Sequence, residues 1–361
     1  MSIHYEPVMN SISRKNLIKG LGSIWVPYLH SPRLFGILPT FRVACASTLH
    51  LFNTLFFSKS NTAVYLEPPT LLTFTINPDL SRLWYLFAKK SLGDQVKLVI
   101  VDSSGKINKD QFPGAQIICL WNFHHSKKTD YILYHVVQSR YLWLCDDDVF
   151  VMDSSALGQA QKFFHDDEKV AVVSFIPNDY DLVFDQKSHQ AMGSYSIFLD
   201  RKIFLDEQLS FLPVKSNNYQ YNHGTGYYEN ADFANEQLLK RGYNVEFLLG
   251  EENKYEYVCG FDGVDSARIR MLEGRERFIS EIKKIEKPKA RHRIIGAYCC
   301  WKVVDLYRLA FGEEPQWIPP VSQQDLFQLI KDMGDQYEKA IFNQFQLYDM
   351  RAKVIQNQIR K

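Results

Sequence analysis

From Leu71 onward, short apolar runs alternate with amphipathic stretches. Leu71-Leu72-Thr73-Phe74-Thr75-Ile76 is a β-branched and aromatic run stopped by Asn77-Pro78, and Asp79 or Ser81 is placed to cap a helix that reaches Lys90. Gly93-Asp94 interrupts the pattern. A second apolar run over 96–101 ends in Asp102-Ser103-Ser104-Gly105, and a third covers 115–120. The spacing next predicts a helix over 127–140, with Ile132, Leu133, Val136 and Val137 toward a sheet; Lys127 and Lys128 at its start either lie on a solvated face, the plainer reading, or contact a phosphate. Near-continuous apolar strands separated by helices predict a mostly parallel sheet with helices on both faces.

The fourth strand, Tyr141-Leu142-Trp143-Leu144-Cys145, runs directly into Asp146-Asp147-Asp148. Ser154 or Ser155 is expected to cap a helix through Phe164, a fifth strand follows over 170–175, and a further strand is expected over 191–199. Gly224-Thr225-Gly226 precedes Tyr227-Tyr228-Glu229-Asn230-Ala231-Asp232 and a helix ending at Arg241, where Gly242 suits the first position past the helix; a strand returns over 245–249. The region 266–292 reads as a charged helix leading into a basic patch, and 315–320 as a proline-rich connector. From Ser322, apolar residues recur at alternating steps of three and four, a helical seam weakened at Gly334 that either packs on the domain or pairs two chains. The expected organisation is a helical extension (1–69), a catalytic α/β domain (70–265) and a helical C-terminal region (266–361).

Charge and composition narrow the function. With 42 Lys+Arg against 41 Asp+Glu, the chain lacks the global basic field that gathers nucleic acid. At 46% hydrophobic residues it can bury a substantial core. Six cysteines with no Cys-x-x-Cys pair fit reduced thiols rather than a disulfide scaffold or zinc site, and the opening Met-Ser-Ile-His-Tyr-Glu has no signal-peptide pattern, so a cytoplasmic setting is expected. The stretch 34–57 is long and apolar enough to raise a membrane question, but Pro39, Arg42, His50 and Asn53 speak against a lone span. Two readings stand there: a helical arm packed on the domain, or a face lying on a membrane surface with Lys15, Lys19 and Arg33 toward anionic lipid.

The aspartate triplet carries the chemistry. Side chains two apart on a strand share a face, so Asp146 and Asp148 can converge while Asp147 points elsewhere. Two convergent carboxylates repel unless a cation lies between them, and oxygen-only ligation suits Mg²⁺ or Mn²⁺, with water and a substrate phosphate completing the shell. The carboxyl end of a central strand is where open α/β sheets bind ligands. The plainer alternative is a solvated acidic turn.

An aspartate after the second strand, Asp-x-Asp after the fourth, and the later Gly-Thr-Gly-Tyr-Tyr-Glu-Asn-Ala-Asp-Phe before Gln-Leu-Leu-Lys-Arg-Gly-Tyr together resemble the GT-A fold of nucleotide-sugar glycosyltransferases, family-2-like, over about residues 70 to 260. By that resemblance Asp146 contacts the donor ribose or reaches the metal through water, Asp148 ligates the metal, and Asp147 is grouped with the donor-binding residues. Thr75, Asn77, Asp102 and Ser103 match positions that hold the nucleoside, of a UDP- or GDP-sugar. Glu229, then Asp232, are candidates for the general base acting on an acceptor hydroxyl with inversion. Acidic residues in a first helical turn are also favoured by capping alone. Asn230 departs from the family pattern, where a second acidic residue is usual. His223 and His292 match the late metal-ligand histidine of such enzymes, although a packed or surface role suits either. Tyr219, Tyr221, Tyr227 and Tyr228 could stack on an acceptor sugar. The acceptor implied is a glycan or glycolipid. A sugar nucleotidyltransferase and an inactive binding or assembly module stand as alternatives, and a homodimer through the C-terminal helix is left open.

Overall fold

The computed structural model describes residues 36–56, 68–120, 122, 125–212, 231–249 and 255–361. In chain order its elements are α1 (Ile37–Phe56), β1 (Thr70–Thr75), α2 (Pro78–Leu92), β2 (Lys97–Asp102), β3 (Gln116–Cys119), α3 (His125–His135), β4 (Tyr141–Cys145), β5 (Val149–Val151), α4 (Ala156–Asp166), β6 (Val170–Ser174), β7 (Pro177–Phe184), β8 (Lys187–Met192) and β9 (Ser196–Asp200). There follow α5 (Arg201–Asp206), α6 (Asp232–Lys240), β10 (Asn244–Phe247), β11 (Val258–Gly260), α7 (Val264–Met271), α8 (Arg275–Lys284), α9 (Lys287–Phe311), α10 (Gln323–Met333) and α11 (Asp335–Arg360). The chain divides into two compact units. The first gathers residues up to Phe74, 92–146 and 153–257; the second gathers 75–91, 147–152 and 258–361.

The main sheet has seven strands in the order β10-β6-β9-β4-β1-β2-β3. Strands β1 and β4, β2 and β3, and β6 and β10 pair in parallel, while β9 runs antiparallel to both β4 and β6. This is the mixed, mostly parallel α/β sheet that the alternating pattern predicts. The apolar runs explain it: β1, β6 and β9 are buried along their whole length. Leu72, Val99, Val101, Leu142, Leu144, Val172 and Leu199 form one core with Ile132 and Leu133 of α3 and Leu238 of α6. Each such side chain contributes about 1.5–3 kcal/mol by leaving water. Elsewhere in this unit Trp143 stacks on Phe175 at 4.4 Å and donates from Nε1 to Ser196 Oγ at 3.1 Å.

Several expected boundaries move. The helix expected over 127–140 ends at His135, where the buried Arg201 donates from Nε to the Leu133 carbonyl at 2.6 Å. A cation there satisfies a carbonyl at the helix's negative end, and burial lowers the Arg201 pKa to about 10. The strand expected over 191–199 is two strands, the end of β8 and β9, parted at Gly193, whose Cβ would lie 2.0 Å from the Ile176 carbonyl oxygen. Strand β8 closes a hairpin on β7 that the sequence pattern does not announce. Ser155 precedes α4 without capping it by its side chain; Asp153 instead accepts from the Ser155 amide at 2.6 Å.

In the second unit, β5 and β11 pair antiparallel. A Cβ on Gly260 would lie 2.1 Å from the Asp148 carbonyl oxygen, so only glycine allows that crossing. The charged helix expected over 266–292 is α7, α8 and the start of α9, broken at Gly274 and before Pro288. The C-terminal seam is two helices. Ser322 and Asp325 cap α10 reciprocally, and Gly334, at φ +89°, separates it from α11. The seam's Leu326, Ile330, Met333, Ile341, Phe345, Tyr348, Ala352 and Ile355 are buried within the chain, and Tyr298 of α9 stacks on Phe345 at 3.7 Å. Packing is thus the role seen for these positions.

Candidate functional site

At the carboxyl end of β2, the Asp102 carboxylate is committed to its own turn. Its Oδ1 accepts from the Ser104 amide (2.7 Å), Ser104 Oγ (2.6 Å) and the Gly105 amide (3.0 Å), and Oδ2 accepts from the Ile107 amide (3.3 Å). A carboxylate offers about four acceptor positions, so Asp102 acts here as a turn former, where the resemblance expects a nucleoside contact. Gly105 is needed at this turn, because a Cβ would meet the Pro39 carbonyl oxygen of α1 at 2.4 Å.

Ser103 points into a different cluster. Lys128 Nζ lies 3.5 Å from Ser103 Oγ and 3.4 Å from Asn122 Oδ1, and 5.3 Å over the Phe74 ring, which meets His125 edge-on. Lys128 is only 5% exposed, so the expectation of a solvated lysine is corrected. The signal was present in the spacing: Lys128 precedes Ile132 by four residues and therefore shares its face of α3. A buried ammonium among the ends of β1, β2 and β3 is a ready partner for anionic or carbonyl oxygens. Of the two lysines that the sequence offers as donor-phosphate contacts, Lys128 is the buried one and Lys127 the exposed one.

In the second unit Thr75 and Asn77 shape the entry to α2. Thr75 Oγ1 accepts from the Asn77 amide at 2.9 Å and donates to its carbonyl at 3.0 Å, while Asn77 Oδ1 accepts from the Leu80 amide at 3.4 Å. Asn77, rather than Asp79 or Ser81, thus takes the capping position. Asp79 instead accepts from the Trp317 amide at 3.3 Å, and burial raises its carboxyl above the usual range. Arg268 donates to the Ile76 carbonyl at 2.9 Å, fixing the same bend.

The triplet falls where the chain passes from the first unit to the second, between Asp146 and Asp147. β4 ends at Cys145 and the triplet turns between it and β5, so the strand geometry expected to bring Asp146 and Asp148 to one face does not hold; Asp146 and Asp148 are half-buried and Asp147 is buried. The Asp146 amide donates to the Tyr195 carbonyl at 2.8 Å; the Asp148 carbonyl accepts from the Phe261 amide at 2.9 Å. Burial, with the charges of Asp262 and Asp148 adding to it, holds the Cys299 thiol well above its usual range, and the Tyr348 phenol is raised by burial and the same neighbours. Asp262, a carboxylate that no motif flagged, thus bears on the same two groups as Asp148, and the Arg351 cation opposes both at Tyr348. His292 is exposed beside Gly263, with Nε2 3.4 Å from where a Cβ would stand.

Among the described residues, no three His, Cys, Asp or Glu side chains are gathered to enclose an ion. The donors at Asp148 and Asp262 are hard oxygens, and the neighbouring thiols are held protonated. That set fits an ion of the Mg²⁺ or Mn²⁺ kind, which takes one or two carboxylates and completes its shell with water and phosphate oxygens.

Glu229, Asn230, His223 and the tyrosines at 219, 221, 227 and 228 lie outside the described residues, as do Lys15, Lys19 and Arg33. Asp232 opens α6 and is fully buried, accepting from the Tyr180 hydroxyl at 3.0 Å (Oδ1) and 3.1 Å (Oδ2). Asn178 Nδ2 donates to the Tyr180 oxygen at 3.1 Å, and Asn235 Oδ1 accepts from the Met192 amide at 2.9 Å, tying α6 to the β7–β8 hairpin. Ala231 adopts φ +74°, ψ −18° at the helix start, a left-handed conformation that costs a non-glycine residue about 1 kcal/mol or more.

No family model matches the chain, and no curated protein matches it. Among solved structures it is similar to a mannosyltransferase of Pyrobaculum calidifontis in complex with GDP-mannose and Mn²⁺ (13% identity, 89% of this chain and 97% of that one, TM-score 0.37). It is similar also to a CMP-2-keto-3-deoxy-manno-octonic acid synthetase complexed with CTP (12% identity, 50% and 89%, TM-score 0.34). A third is the galactosyltransferase LgtC with donor and acceptor sugar analogues (9% identity, 50% and 73%, TM-score 0.32). At TM-scores below 0.5 these likenesses carry no argument. The fold class rests on the chain's own strand order, a mixed, mostly parallel α/β sheet whose fourth-placed strand, β4, leads into the aspartates.

Proposed function

We propose that this chain is a metal-dependent glycosyltransferase that moves a sugar from a nucleotide-diphosphate donor to a hydroxyl acceptor with inversion. The observation that carries the reading is the run of three aspartates following a buried central strand, at the carboxyl end where open α/β sheets bind ligands. In this reading Asp148 holds a divalent ion and Asp146 reaches the donor ribose or the ion through water, Asp147 lying between them in the chain. When bound, such an ion supplies Lewis-acid neutralisation of a departing diphosphate.

The chain's own residues do the rest. Ser103 and Lys128 offer a hydroxyl and a cation to donor oxygens; Thr75 and Asn77 present the bend at the end of β1, and Asp102 holds the turn that places Ser103. Glu229 is first choice for the base that removes the acceptor's proton, since Asp232 is sealed beneath Tyr180 and suits a positioning role. The segment 70–265 is taken as the catalytic part, and the donor as a UDP- or GDP-sugar with a glycan or glycolipid acceptor.

The test is a thermal-shift screen of nucleoside diphosphates and nucleotide sugars with and without Mn²⁺, followed by release of nucleoside diphosphate from the best donor. The expected result is a metal-dependent shift and turnover, both lost in Asp148→Ala; Glu229→Gln keeps the shift and loses turnover. Binding with no turnover toward any acceptor or water overturns the transferase in favour of a binding module. The sugar nucleotidyltransferase is the second reading, favoured by the Ser103–Lys128 cluster if it grips a triphosphate; pyrophosphate release from a nucleoside triphosphate and a sugar phosphate decides for it.

A further inference from the structure

Helix α1 is amphipathic the wrong way round. The side packed on the domain presents Thr40, Val43 and Ser47, all buried, and the Pro39 carbonyl meets Gly105 of the β2 turn. The outward side carries the larger apolar residues: Ile37 is 77% exposed, Leu38 80%, Phe41 67% and Leu49 62%. Ile37, Phe41, exposed Cys45 and Leu49 recur at every fourth position and so form one stripe. A single exposed leucine needs no explanation, but a row of large apolar side chains on one helix marks a surface that something covers.

The charges around the stripe say what kind of partner. The described stretch of α1 has no acidic residue, and Arg42 is exposed beside Phe41. The helix lies against β3, and the turn it packs on leads into exposed Lys106 and Lys109, with exposed Asp110 as the acidic neighbour. Arg42 and Lys109 both bear electrostatically on Cys119 of β3, which places the two cations on the same border of the sheet. A second copy would bring the same excess of positive charge to this face, which costs affinity. A surface bearing fixed anions over an apolar layer matches both the stripe and its cations. No helix among the described residues is long and apolar enough to cross a membrane, so a helix of this pattern lies along an interface rather than through it.

We propose that α1 seats the protein on an anionic lipid membrane, with Ile37, Leu38, Phe41 and Leu49 at the acyl boundary and Arg42, Lys106 and Lys109 at the headgroups. The inference does not depend on the glycosyltransferase reading. Vesicle co-sedimentation of the full chain tests it, with phosphatidylcholine alone and with about one-third phosphatidylglycerol added. The expected result is roughly tenfold stronger binding to the anionic vesicles, weakened by salt, and a loss of about tenfold or more in the Leu38→Glu, Phe41→Glu double variant. These positions are exposed, so circular dichroism and melting should be unchanged; if that variant fails to fold, Arg42→Glu is the second probe, with a severalfold loss expected. Equal binding to both vesicle types overturns the proposal, as does binding indifferent to the variants. A concentration-dependent dimer in light scattering that the double variant abolishes also overturns it, assigning the face to a second copy.

Discussion

Asp102 and Asp148 bear the same signature in the sequence, an aspartate just after a buried apolar strand, yet the structure gives them different surroundings. All four hydrogen bonds that Asp102 accepts come from residues two to five positions ahead in the chain, three of them on Oδ1 and one on Oδ2. Asp148 is surrounded instead by residues distant in sequence: its charge helps hold Cys299, Cys300 and Tyr348 protonated, and β11 crosses it at Gly260. The first carboxylate builds a loop. The second bears on side chains far along the chain, together with Asp262 and against the Arg351 cation, and the proposed function gives it the metal. Position at a strand end thus does not by itself decide what a carboxylate does.

The largest effect expected from breaking this contrast is at Gly260. A Cβ there would meet the Asp148 carbonyl oxygen at 2.1 Å and the Val149 Cα at 2.7 Å, both backbone atoms without freedom to give. Gly260→Ala should cost more than about 3 kcal/mol of unfolding free energy in urea, as overpacking against backbone does at its worst. Next comes the pair itself. Asp102→Ala orphans buried amide donors at Ser104, Gly105 and Ile107 and should cost about 2–3 kcal/mol. Asp148→Asn should change stability by less than about 1 kcal/mol, the usual range for a half-exposed position, while removing metal-dependent stabilisation by nucleotide. If the two variants destabilise equally, the division between loop builder and ligand holder is wrong.

How far the sequence reveals this depends on the range of the interactions. Strands β1, β2, β4 and β6 are legible because burial on both sides leaves an unbroken apolar run. Gly242 takes φ +82° after α6, where the sequence places a helix stop. The β7–β8 hairpin is not legible. Its turn sets Asp185 and Gln186 at φ 49° and 60°, a primed-turn geometry usually announced by Asn-Gly, and β7 opens on a proline. The three-residue strands β5 and β11 are too short for any periodicity. In the seam, the apolar steps continue across Gly334 although the helix does not, because periodicity reports which side is buried and not whether the backbone bends. Among candidate residues, strand-end position was legible at Asp102 and Asp148. The turn bonds of one and the distant neighbours of the other were not, since both depend on where amides and remote side chains settle.

Asp130 is an intermediate case and offers a smaller, pH-dependent test. It accepts from Ser210 Oγ at 2.5 Å and the Phe211 amide at 2.9 Å, but burial outweighs both bonds and pushes its carboxyl up to about 6 from an ordinary 3.8. A carboxyl that holds its proton more tightly when folded stabilises the fold fully below pH about 4 and loses that contribution as pH rises through about 6. Asparagine keeps an acceptor for the Phe211 amide and gives Ser210 a donor, without a charge to bury. The difference in unfolding free energy between Asp130→Asn and the parent should therefore grow by about 2 kcal/mol in the variant's favour between pH 4 and pH 7. A difference that stays level across that range would mean that water reaches this carboxylate as freely as it would in an exposed turn.

The smallest effect expected is at Asp232, and it decides which side of the contrast that residue joins. Its carboxylate is served by a residue 52 positions away, the Tyr180 hydroxyl, yet it is sealed from solvent as Asp102 is. If it belongs with the loop builders, its value lies in holding the β7–β8 hairpin against the left-handed start of α6 at Ala231. Tyr180→Phe removes one charge-assisted bond and should cost about 1–2 kcal/mol. In a double-mutant cycle with Asp232→Ala the coupling should recover most of that sum, because each single change breaks the same bond. The kinetic readout separates the roles: a positioning carboxylate slows turnover in proportion to the disturbance of its helix, so Tyr180→Phe and Asp232→Asn should lower kcat to similar degrees. A far deeper loss in Asp232→Asn alone would mean that this aspartate, buried at rest, is uncovered to take the acceptor's proton, and Glu229 would lose its claim to that step.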